Sequence, residues 1–74
     1  MLNERRFGSV RYYDSKRGFG FVIPENGDKD IFFHITQFEE EPKAEDIKEG
    51  LHLGFEVIEK KKGLQAINIS MLTD

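Results

Sequence analysis

The sequence predicts an all-β domain, a closed or nearly closed barrel of five short strands. Apolar and aromatic residues recur with a period of two, most cleanly at Leu51, Leu53, Phe55 and Val57. The alternating stretches are short and divided by turn residues, with Asn26-Gly27 the strongest signal because it readily supplies positive φ. No stretch of about ten residues carries the spacing of an amphipathic helix. An open sheet without a covering helix would leave its hydrophobic face wet, whereas closure removes both that face and the exposed edges.

Residues 5 to 13 form the first expected strand, with Phe7, Val10, Tyr12 and Tyr13 among serine and arginines. Its alternation falters between Val10 and Tyr13, which predicts a bulge. Asp14-Ser15-Lys16 turns the chain into a second strand from Gly18 to about Ile23, stopped at Pro24. After the Pro24–Asp28 turn the third strand covers Asp30 to Ile35, and Thr36 to Phe38 suit a single helical turn. Glu39 to Gly50 read as an acidic loop too polar for the interior. The fourth strand begins at Leu51, the lysine cluster and Gly63 turn the chain, and Leu64 to Ile69 make the fifth, followed by a loose tail.

The 74 residues make a single domain over 1–74, with its core in about 5–70. A chain this short buries only about 60% of its unfolded surface. Without cysteine there is no disulfide or thiolate zinc site to supplement the core, and the lack of cysteine agrees with a reducing compartment. No apolar run approaches the roughly 20 residues of a spanning helix, so a soluble, cytoplasmic domain is expected. The net charge of −3 argues at first against nucleic acid, but the distribution is uneven. Arg5, Arg6, Arg11, Lys16 and Arg17 crowd the first part of the chain, and Lys60-Lys61-Lys62 form another basic cluster. The acidic excess sits at Glu39, Glu40, Glu41, Glu45, Asp46 and Glu49.

Alternation forces a choice about the aromatics. If Phe32 and His34 faced inward, Ile31, Phe33 and Ile35 would face water. The reverse is cheaper and gives a core of Ile31 and Phe33 with Val10, Val22, Leu53, Phe55, Val57, Ile67 and Ile69. By the same reasoning Val22 and Gly20 face in and Phe19 and Phe21 face out, where Tyr12 and Tyr13 are expected to join them with wet hydroxyls. Rings beside cations suit stacked bases and phosphates. His34 has no second ligand at a recognised spacing, and Asn26–Asp30 lacks the rest of a calcium loop. No P-loop, nucleophile elbow or paired-acid constellation is present, so neither a cofactor nor catalysis is expected.

These residues resemble the cold-shock domain, a five-stranded antiparallel barrel of the oligonucleotide/oligosaccharide-binding (OB) type. Arg17-Gly18-Phe19-Gly20-Phe21-Val22 is similar to its first ribonucleoprotein motif and Ile31-Phe32-Phe33-His34-Ile35 to its second. Gly8–Asp14, Gly50–Phe55 and Gly63–Ile69 resemble the flanking motifs. An RNA-recognition motif has the two motifs in the opposite order and needs two helices. The resemblance implies sequence-tolerant binding of single-stranded RNA or DNA and a nucleic-acid chaperone role, by a monomer without metal or enzymatic activity. It assigns the contacts to Arg11, Tyr12, Tyr13, Arg17, Phe19, Phe21, Phe32 and His34. Three departures imply weaker binding than is typical: Tyr12 replaces a tryptophan, Ile35 a phenylalanine, and Ala44 a loop aromatic. Ile35 is expected to border the site. The variant second motif with Phe38 also resembles a subgroup in which this domain precedes a membrane-embedded one. The alternative function is a protein-interaction barrel, docking a partner such as that attached membrane domain.

Overall fold

The protein is described by a computed structural model over residues 4–72. Strands β1 (Arg6–Asp14), β2 (Phe19–Pro24), β3 (Ile31–His34), β4 (His52–Lys60) and β5 (Gly63–Met71) close into a barrel in the order β1-β2-β3-β5-β4. Every adjacent pair is antiparallel except β3 and β5, which run parallel at Phe32 and Gln65. The five-stranded antiparallel barrel expected from sequence is present, with one parallel contact whose reason is topological. An odd number of strands cannot alternate in direction all the way round a closed ring.

Val10, Val22, Ile31, Phe33, Leu53, Phe55 and Ile69 are fully buried, with Ala66, Ile47 and Phe38 beside them. Val57 packs only partly against this core, and Ile67 is half-buried with Ala66 in its place. A bulge explains the exchange. Glu56 pairs with Ile67 and Gly54 with Ser70, so Asn68 and Ile69 share the space opposite Phe55. Asn68 takes a left-handed φ of 48° and its amide donates to Glu56 Oε2 at 3.0 Å. Arg5 fastens the same place, donating to the Asn68 carbonyl at 2.7 Å and to Ser70 Oγ at 2.5 Å, beside the Glu39 and Glu56 carboxylates. Ser70 and Met71 thus belong to β5 and not to a loose tail; Thr73 and Asp74 lie outside the described residues.

The helical turn after β3 is present as a 3-10 turn over Ile35–Gln37. A second, unforeseen turn over Ala44–Asp46 interrupts the acidic loop and delivers Ile47 to the core at 5% exposure. The loop is therefore polar along its length but anchored by one apolar side chain.

The bulge in β1 falls where the sequence predicts it. Val10 pairs with Val22 and Tyr12 with Phe21, leaving Arg11 as the extra residue. One inserted residue reverses the alternation beyond it. Val10 points in, Arg11 and Tyr12 are exposed, and Tyr13 returns to pack against the core. Gly20 lies between Tyr13 and Phe33 in the strand register, and the two rings stack with centroids 5.9 Å apart and planes at 10°. A Cβ on Gly20 would fall on the Tyr12 carbonyl oxygen and 2.8 Å from Phe33 Cζ. Gly20→Ala is expected to destabilise the barrel by about 1–3 kcal/mol through overpacking, roughly 4–8 °C in Tm for each kcal/mol in a domain this small. A melting curve unchanged from wild type would contradict this packing.

Candidate nucleic-acid interface

Strand register arranges the outward side chains in rows. Tyr12, Phe21 and Phe32 stand side by side on β1, β2 and β3, and Gln65 on β5 continues the row. Asp14, Phe19 and His34 form a second row alongside. The three phenylalanine rings make one cluster. Phe19 stacks on Phe32 at 5.7 Å, while Phe21 meets Phe19 and Phe32 edge-on at 6.3 and 6.0 Å. Each ring shields its neighbours, so all three are half-buried and none needs the core for support. Tyr12 is 51% exposed.

His34 closes β3 and caps the 3-10 turn. The Thr36 backbone N–H donates to Nδ1 at 3.2 Å, and the Thr36 hydroxyl lies 2.9 Å from the same nitrogen. Nδ1 therefore acts as acceptor, and the neutral ring carries its proton on Nε2. Gly18 takes a left-handed φ of 75° in the β1–β2 turn, where a Cβ would crowd Ile35 Cγ2 at 3.1 Å. Ile35 packs partly against the core and is half-buried at the end of β3, next to His34.

The two arginines flank the rows. Arg11, the bulged residue, reaches across β2 to put Nε 3.2 Å from Asp30 Oδ2. Arg17 lies 3.8 Å from Asp14 Oδ2, and Asp14 Oδ1 accepts the Lys16 and Arg17 backbone N–H groups that fix the turn. Among the described residues no group of three or more His, Cys, Asp or Glu side chains is placed to hold a metal ion, and no helix is long and apolar enough to cross a membrane.

Residues 6–72 match the family profile of the 'cold-shock' DNA-binding domain. The chain belongs to the cold-shock domain family. It is 35% identical over 65 residues to the cold shock-like protein CspE of Buchnera aphidicola, covering 88% of this chain and 93% of that one. With the cold shock protein CspD of Bacillus subtilis it shares 37% over 65 residues, covering 88% and 96%. The solved structure of drosophila Unr CSD456 superposes with a TM-score of 0.76 at 28% identity, over 96% of this chain and 28% of the longer one.

Within this cold-shock domain the sequence-assigned contacts divide. Phe19, Phe21, Phe32, His34 and Tyr12 share the outer face, with Arg11 and Arg17 at its margins. Tyr13 does not join them, because the β1 bulge turns it toward Phe33. Burial and the neighbouring Asp14 carboxylate raise the Tyr13 phenol above its ordinary value. The β4–β5 hairpin was not among the assigned contacts. Lys60, Lys61, Lys62, Gly63, Leu64 and Gln65 line an open groove of about 610 Å³ together with Phe21 and Phe32. The lysine cluster is plain in the sequence. What carries it to the aromatic face is the parallel β3–β5 contact, which no local pattern announces.

The two tyrosines should separate cleanly in stability measurements. Tyr13→Ala removes a ring stacked on the core and is expected to lose about 2–4 kcal/mol, toward the range for buried aromatics. Tyr12→Ala should stay within about 0.5 kcal/mol, as an exposed position. Because the folded state favours the neutral Tyr13 phenol, its contribution to stability is complete below the ordinary tyrosine pKa near ~10 and is lost as pH rises through the raised value. Tyr13→Phe should abolish that alkaline loss, as followed by denaturant melts across the range.

Proposed function

We propose that this cold-shock domain binds single-stranded RNA or DNA, with bases stacked on the outer aromatic face and phosphates met by the cations around it. The Phe19–Phe21–Phe32 cluster, held outside the barrel at centroid spacings of 5.7, 6.0 and 6.3 Å, is the observation that carries this reading. Every base has a π face, so stacking tolerates sequence. His34 adds an Nε2–H donor at the edge of the cluster, Tyr12 a smaller platform, and Arg11 and Arg17 the flanking charge.

The same chemistry yields chaperone behaviour. In a duplex both faces of each base are occupied by neighbouring bases. A protein that takes those faces binds only the open strand and so shifts the equilibrium away from pairing. The acidic total does not prevent this, since Glu39 is drawn to Arg5 near Ser70 on β5. Glu49, which lines a recess with Arg11 and Tyr12, is the acidic-loop carboxylate placed to oppose phosphates.

Phe19→Ala and Phe32→Ala should each lose roughly 1–3 kcal/mol of affinity for a pyrimidine-rich single strand, the usual worth of a base–aromatic stack. That is about 5- to 150-fold in Kd. Wild-type affinity should fall with salt at a log-log slope near −0.7 for each phosphate contacted. Titration calorimetry reads both quantities. Unchanged affinity in both variants, or binding indifferent to salt, would point to a hydrophobic protein partner.

A further inference from the structure

Positive charge around the aromatic face is unequally available. Arg11 and Arg17 each stand within ion-pair distance of an aspartate, at 3.2 and 3.8 Å. Glu49 adds a further carboxylate at the Tyr12 end of the outer row. At the opposite end, past Phe32 and Gln65, the β4–β5 turn carries Lys60, Lys61 and Lys62 in succession, all exposed. Among the described residues no carboxylate lies within ion-pair distance of these three. The two arginines near β1 are thus paired with carboxylates, while the three adjacent hairpin lysines at the Gln65 end of the Tyr12–Phe21–Phe32–Gln65 row are not.

An internal phosphate of a nucleic acid is a diester with one negative charge. A phosphate at the end of a strand is a monoester, with a second ionisation near pH ~6 and a charge of about −1.5 to −2 at pH 7. Three clustered ammonium groups discriminate in favour of the more highly charged group, and the attraction is greatest at low salt. The groove between them is walled by the Phe21 and Phe32 rings and Leu64, so it can hold the terminal base while the lysines meet its phosphate.

We propose that the hairpin lysines Lys60, Lys61 and Lys62 bind the terminal phosphate monoester of a single strand and thereby set which end of the strand lies at β5. The Glu49 carboxylate at the Tyr12 end of the row disfavours the same group there. This orients the strand without any base-specific contact. The inference rests on the nucleic-acid reading above.

One pyrimidine oligonucleotide of about six or seven bases tests it in three forms: hydroxyl at both ends, 5′-phosphate only, and 3′-phosphate only. Each is titrated at low salt into the wild type and into the combined variant Lys60→Gln, Lys61→Gln, Lys62→Gln, whose fold is verified by its melting curve. One of the two phosphorylated forms is expected to bind the wild type about three- to fivefold more tightly than the hydroxyl form, the scale of one exposed charge interaction. The other form should gain little, and the variant should bind all three alike. Equal gains at both ends, no gain at either, or a gain that survives in the variant would overturn the proposal while leaving single-strand binding intact. A wild type that fails to bind even the hydroxyl form would overturn the nucleic-acid reading itself, and this proposal with it.

Discussion

Gly20 has no side chain, and the Tyr13 and Phe33 rings meet over the space it leaves. That contact sets the parity of the two central strands. With Phe33 inside, Phe32 and His34 must face out; with Gly20 inside, Phe19 and Phe21 must do the same. A slip of one residue in β2 would drive Phe19 and Phe21 into the barrel and expose Val22, and a slip in β3 would drive in Phe32 and expose Ile31 and Phe33. Val22, Ile31 and Phe33 are all now fully buried. The inner stack and the outer cluster are therefore two consequences of one register. The proposed binding face is the outer side of the same strands that build the core, not an addition to the barrel surface.

Much of this was legible locally. Period-two alternation placed Ile31, Phe33, Val10, Val22, Leu53, Phe55 and Ile69 inside, and all seven are buried. The β1 bulge was also visible, but its consequence for parity was not: an inserted residue sends Tyr12 and Tyr13 to opposite faces, and both had been assigned outward. A second bulge at Asn68 did the same to Ile67, bringing Ala66 inward. A faltering alternation can mark where a bulge lies, but which residues it turns inward is fixed only by the register with the partner strand. Ile47 was obscured for another reason, since one apolar residue among acidic neighbours has no period to reveal it.

The least legible feature was the contribution of the lysine hairpin to the site. Its composition is obvious, yet its location depends on β5 crossing to lie beside β3 through a single bridge at Phe32 and Gln65, with Phe38 bridging Ile69 farther along. Closure of an odd-stranded ring requires one parallel neighbour, and here that seam brings the basic turn to the edge of the aromatic cluster. The result reconciles an acidic protein with an anionic ligand. Charge is segregated by topology, so the field near the rings differs from what the net charge of −3 suggests.

The central claim, that bases stack on the outer side of β2 and β3, is tested most directly by following backbone amide shifts during titration with a pyrimidine-rich single strand of about six or seven bases. The account predicts that the largest shifts cluster at Phe19, Phe21, Phe32 and His34 and extend to Lys60–Gln65, with Phe7 and the far side of the barrel nearly silent. Shifts confined to the acidic loop over residues 39–49, or none at millimolar ligand, would contradict it.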